Sequence, residues 1–110
     1  MVAATHGRRD RRIDFTRSEE WVVHHVAVEE LERARSESTR PAWWATAVLE
    51  EIESGEPSLS PFEAWRLRHA LAQYAGNDHT PQRDADAATT VVDRLDGAFE
   101  ATPVAAEAGD

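Results

Sequence analysis

The side chains with chemical potential in this sequence are five histidines and a surplus of carboxylates, 21 Asp+Glu against 12 Lys+Arg. Metal binding is therefore the first chemistry to weigh. A bundle di-iron centre needs Glu-x-x-His so that both ligands project inward one turn apart, and no histidine here has a glutamate three residues before it. His-Glu-x-x-His is absent as well. His25 and Glu29 form a two-ligand pair at helical spacing, and His25 and His69 could approach across an internal axis. Histidines packed beside tryptophans account for the same pattern without a metal. No cysteine is present, which removes disulfides, thiolate ligands and cysteine nucleophiles. The chain also lacks a nucleophile elbow, a glycine-rich phosphate loop and any cofactor motif. A non-enzymatic protein without a cofactor is the expectation.

A second set of residues stands out on a helical wheel. With Trp21 and Trp65 at zero, Val28/Ala72, Leu31/Ala75, Ala27/Leu71 and Val23/Leu67 fall at about 340°, 280°, 240° and 200°. His24 and Arg68 lie at about 300°, inside this apolar arc, and His25 and His69 flank the tryptophans at about 40°. A polar group in an apolar arc must be hydrogen-bonded or belong to a site. Trp21, His24, His25, Trp65, Arg68 and His69 are thus a candidate pocket for a small anion or polar ligand. The alternative is a structural pair, such as Arg68 with a carboxylate at a helix end, for which Arg68→Ala would cost roughly 3 kcal/mol if buried. Trp43 is a separate candidate. Val48, Ile52, Ala45 and Leu49 cluster at about 140° to 240° from it, with Trp44 at about 100°, so Trp43 faces away from the core. That makes it a candidate interface anchor.

Four helical segments must position these residues. Thr16 with Glu19 and Ser60 with Glu63 are capping boxes, and Pro61 suits a first helical position. Helices are expected near residues 17 to 35, 41 to 53, 61 to 75 and 82 to 99. The second is expected to open near Thr39, with Pro41 in its first turn, and to end at Gly55; the fourth opens around Thr80 and Pro81. Residues 15 to 28 align without gaps on 59 to 72, and Val48-Leu-Glu-Glu-Ile-Glu53 on Val91-Val-Asp-Arg-Leu-Asp96. The offset is 44, then 43. The expected fold is all-α: an antiparallel four-helix bundle from two duplicated helical hairpins, residues 13–55 and 57–100, with Ile13–Phe15 and Pro57–Leu59 placed to pair as a short ribbon. Residues 1–12, arginine-rich, and 101–110 read as disordered tails.

Phe15-Thr-Arg-Ser-Glu-Glu-Trp-Val-Val-His-His, the Leu59-Ser-Pro-Phe-Glu helix and the closing Asp93-Arg-Leu-Asp96 together resemble a group of small, acidic haloarchaeal proteins of uncharacterised function, over residues 13 to 100. The resemblance implies a habitat and a helical fold, and transfers no site residue. Composition points the same way. All twelve basic residues are arginine, and the net charge is -9. Removing the first twelve residues leaves 20 acidic against 8 basic, or -12 for the body. Dense carboxylates stay hydrated in molar salt, where repulsion is screened within about 3 Å.

The longest nearly apolar run, Pro41 to Leu49, is far below the roughly 18 residues a membrane span needs. Arg8, Arg9, Arg11 and Arg12 have no apolar stretch behind them, so a cytoplasmic protein is expected. Those arginines could form a basic arm for nucleic acid. The helix that would read DNA, however, carries Asp84, Asp86 and Asp93 against Arg83 and Arg94, which opposes phosphate binding. The leading expectation is a protein-interaction or regulatory module that self-associates or holds a protein partner; the alternative is a nucleic-acid-associated regulator using the arginine arm.

Overall fold

The computed structural model describes residues 10–40 and 42–99. Four helices and one two-stranded ribbon follow in the order β1 (Arg11–Arg12), α1 (Arg17–Ser36), α2 (Trp43–Ser54), β2 (Ser58–Leu59), α3 (Pro61–Ala75) and α4 (Gln82–Ala98). The fold is all-α with a small antiparallel sheet. Arg11 pairs with Leu59 and Arg12 with Ser58. The Ile13 amide continues the pairing by donating to the Pro57 carbonyl at 3.0 Å. The ribbon thus begins two residues earlier than Ile13 and takes in Arg11 and Arg12, which the expected tail of residues 1–12 included. The expected C-terminal tail, 101–110, lies outside the described residues.

Both capping boxes form. Thr16 Oγ1 accepts from the Glu19 amide at 3.2 Å while the Thr16 amide donates to Glu19 Oε1 at 2.9 Å. Ser60 and Glu63 repeat this at 3.1 and 2.9 Å. Each box satisfies two amides that the first helical turn would otherwise leave without partners.

The two threonines expected to open helices instead close the preceding ones. Thr39 donates through its amide and its hydroxyl to the Ala34 carbonyl, at 2.9 and 3.2 Å. Ser38, at φ 56°, takes the left-handed position of the helix-closing turn that glycine usually occupies. That is why the end of α1 carries no clear stop residue in the sequence. Thr80 Oγ1 likewise donates to the Tyr74 carbonyl at 2.7 Å. Accordingly α2 and α4 start after Ala42 and Pro81 with no side-chain cap. Gly55, at φ 86°, closes α2 as expected.

α1 and α3 each pack against all three other helices. An ion pair and a hydrogen bond show the directions: Arg94 near the end of α4 meets Glu19 at the start of α1, and Asp84 at the start of α4 meets Tyr74 at the end of α3. α4 therefore runs antiparallel to both. Apart from Leu59, the deepest core is built from matched positions. Val23 and Leu67, Ala27 and Leu71, Ala45 and Ala88, and Val48 and Val91 are all 0% exposed. The first two pairs stand 44 apart and the last two 43 apart.

The wheel expectation for α1 is corrected. Its buried side chains are Glu19, Val22, Val23, Val26, Ala27 and Ala34, a face centred about 180° from Trp21. His24, about 120° from that centre, is exposed. The reason is that apolar residues surround most of α1, so Val28 and Leu31 drew the expected arc toward a flank. Packing chose the other side.

Candidate functional site

The six residues of the expected pocket do not converge. His24 is exposed, and Arg68 reaches across to α4, where Nη2 donates to Asp96 Oδ2 at 3.2 Å and Nε donates to Oδ1. The remaining four divide between two clefts. Trp21 and His25 stack with centroids 5.3 Å apart and planes 5° from parallel, and the Tyr74 ring lies 5.2 Å beyond His25, tilted by 52°. Trp65 and His69 sit on the other cleft, 6.0 Å apart at 38°. The expected approach of His25 to His69 does not occur.

The Trp21 cleft, about 370 Å³, is lined by Trp21, His25 and Glu29 of α1, by Tyr74 and Asn77, by the His79–Pro81 connection and by Asp84. His25 Nε2 lies 3.3 Å from Glu29 Oε2. The Tyr74 hydroxyl donates to Asp84 Oδ2 at 3.2 Å. Burial first, then the charge and acceptor of Asp84, push the Tyr74 phenol above its ordinary pKa, so it stays a donor at neutral pH. The expected His25–Glu29 pair is real, but among the described residues no group of three His, Asp or Glu side chains could hold a metal ion.

The Trp65 cleft, about 270 Å³, is lined by Trp65, Arg66, His69, Ala70 and Gln73 of α3 with Glu30, Arg33 and Trp44. Here the cations come from the protein. Arg33 is paired with Glu30, and the Arg66 guanidinium lies over the Trp44 ring at 5.9 Å. Trp44 is buried, with an indole N–H that has no hydrogen-bond partner. Between the clefts lies a cavity of about 540 Å³ whose walls include Val26, Glu29, Glu30 and Arg33 opposite Ala70, Gln73, Tyr74 and Asn77. Each of these four facing pairs is separated by 44 positions.

Sequence reasoning missed the Glu19–Arg94 pair. Glu19 is 5% exposed and buried beneath α4. Arg94 grips both its carboxylate oxygens and donates to the Asp14 carbonyl at 2.8 Å. The Arg94 guanidinium is the main reason the Glu19 carboxyl is held below its ordinary pKa. The capping box gives Glu19 a complete local role, so nothing in the sequence pointed to a partner 75 residues away. Tyr74 and Asp84 were also missed, being ten positions apart on different helices.

Trp43 is 75% exposed, on the side of α2 away from the core. Phe62, Trp21 and Trp65 are the other exposed large hydrophobic side chains among the described residues.

A family model matches residues 13–96, from the end of the ribbon through Asp96, the partner of Arg68. The chain belongs to DUF7853, a family of unknown function. The DUF7853 span contains both clefts, the Glu19–Arg94 pair and Trp43. No curated protein and no solved structure matches the chain. Among the described residues no helix is long and apolar enough to cross a membrane.

Proposed function

We propose that this DUF7853 domain is a non-enzymatic interaction module that associates with a second copy of itself through the α2–α3 side of the bundle. The observation that carries the reading is the asymmetry of exposed aromatics. Trp43 on α2 and Phe62 on α3 are exposed with no aromatic counterpart, whereas exposed Trp65 is matched by exposed Trp21 of α1. The position matched to Trp43 in the second repeat is Asp86 and that matched to Phe62 in the first is Ser18, both exposed. A chain that places a tryptophan and a phenylalanine in water where its own duplicate keeps polar groups has a use for them at an interface, where large aromatics contribute most.

The duplication itself is part of the proposal. Its support is the set of equally buried pairs at offsets of 44 and 43, the two capping boxes and the facing pairs of the central cavity. We also infer adaptation to high salt in a cytoplasmic setting, supported by the net charge of -9 and the use of arginine alone as the base. No observation favours the nucleic-acid alternative. Arg11 and Arg12 belong to the ribbon, and Arg12 Nε is 3.7 Å from Asp14; Arg8 and Arg9 lie outside the described residues.

Sedimentation of the parent and of Trp43→Asp in molar potassium chloride tests the reading. A self-associating parent and a monomeric variant are expected. An unchanged oligomer removes Trp43 from the interface, and a monomeric parent overturns self-association.

A further inference from the structure

The two clefts have related walls and opposite charge. Trp21 and Trp65, His25 and His69, Glu29 and Gln73, Tyr74 and Glu30, and Asn77 and Arg33 occupy corresponding places, each pair 44 positions apart. In the Trp65 cleft the protein supplies its own cations, Arg33 beside Glu30 and Arg66 against Trp44. In the Trp21 cleft Asn77 stands in the place of Arg33, and Val22, the counterpart of Arg66, is buried in the core. None of its nine lining residues is a lysine or arginine, while two, Glu29 and Asp84, are carboxylates. Its walls are still aromatic.

We propose that the Trp21 cleft binds an organic ammonium cation with alkyl substituents, held against the exposed Trp21 ring and the Tyr74 ring with Glu29 and Asp84 as counter-charges. An aromatic face attracts a cation through its quadrupole, and gains most when the cation sheds water easily. Alkylated ammonium does so, and its methyl groups also bury apolar area against the rings. An inorganic ion would need several oxygens converging on one point. The absence of a three-residue metal group among the described residues argues against that. The Tyr74–Asp84 hydrogen bond fixes the ring and the carboxylate relative to each other, so little ordering is left for the ligand to impose. This inference is independent of self-association through Trp43.

The same chemistry is presented by a free small cation and by a trimethyllysine side chain. The chain has a single tyrosine, so the Tyr74 ring resonances report the cleft without ambiguity. The full-length protein is titrated with tetramethylammonium chloride, and separately with a glycine-flanked trimethyllysine peptide, at constant total chloride with potassium as the replaced ion. A saturable shift with tetramethylammonium is expected, weakened about tenfold by Trp21→Ala, weakened in Asp84→Asn and Glu29→Gln, and unchanged in Trp65→Ala. Trp21 is 56% exposed, and helical circular dichroism verifies that the variants remain folded. Peptide binding more than tenfold tighter than tetramethylammonium places the cation on a partner chain, whereas equal or weaker peptide binding indicates a free one. No saturable shift with either probe, or equal weakening by Trp65→Ala, overturns the proposal.

Discussion

Replacing Arg94 by alanine removes the partner of a carboxylate that has little access to water. The Glu19 side chain is 7% exposed and that of Arg94 35%. Breaking a fully buried pair on one side costs about 3–5 kcal/mol because a charge is left behind. Glu19 keeps the Thr16 amide, and Arg94 is partly solvated, so about 2 kcal/mol is the better expectation here. For a domain of this size that lowers Tm by about 10 °C. Arg68→Ala is the contrast. Its side chain and that of Asp96 are 42% and 49% exposed, so this is a surface pair worth at most about 1 kcal/mol, and the larger loss expected for a buried Arg68 does not apply. Thermal melts followed by circular dichroism measure both. An Arg94→Ala variant that melts with the parent, or an Arg68→Ala variant that loses more than it, would refute the placement of Glu19 beneath α4. Acid adds a second reading. The Glu19 carboxyl is held below its ordinary 4.5 in the folded state, so its contribution is fully present above that value and is lost as pH falls through the lowered folded pKa. Arg94→Ala should therefore flatten the decline of Tm below about pH 4.5, where the parent falls more steeply.

Two further outcomes are expected. Tm and helical ellipticity should both increase between dilute buffer and molar potassium chloride, because screening removes repulsion from the acidic body; a melting temperature independent of salt would count against halophilic adaptation. Gly55→Ala should cost about 1 kcal/mol, all of it from the φ of 86°, since a Cβ there meets nothing within 4 Å; an equally stable variant in denaturant melts would mean that α2 ends another way.

Local order was legible in the chain because its determinants are local. A threonine or serine three residues before a glutamate closes a capping box from within one turn, and Gly55 stops α2 by its own backbone freedom. Trp43 could be placed in water from the spacing of Ala45, Val48 and Ile52, since α2 is short and its apolar residues fall on one side. Residues 44 and 43 apart that matched in sequence turned out to be buried together, as Val23 with Leu67 and Val48 with Val91 show.

What α1 buries was not legible. Its twenty residues carry valine, leucine, alanine and tryptophan around most of the circumference, and periodicity alone cannot choose between faces of similar apolarity. Contact with α2, α3 and α4 chose the face of Val22, Val26 and Glu19, which sent Trp21 and His24 outward and dissolved the six-residue pocket. The two clefts are tertiary for the same reason. Tyr74 meets Asp84, and Arg94 meets Glu19, only because antiparallel packing brings ends of different helices together. Capping and periodicity act over a few residues and determined the helices; burial and charge pairing act across the chain, and the tertiary structure alone decided which of their side chains meet.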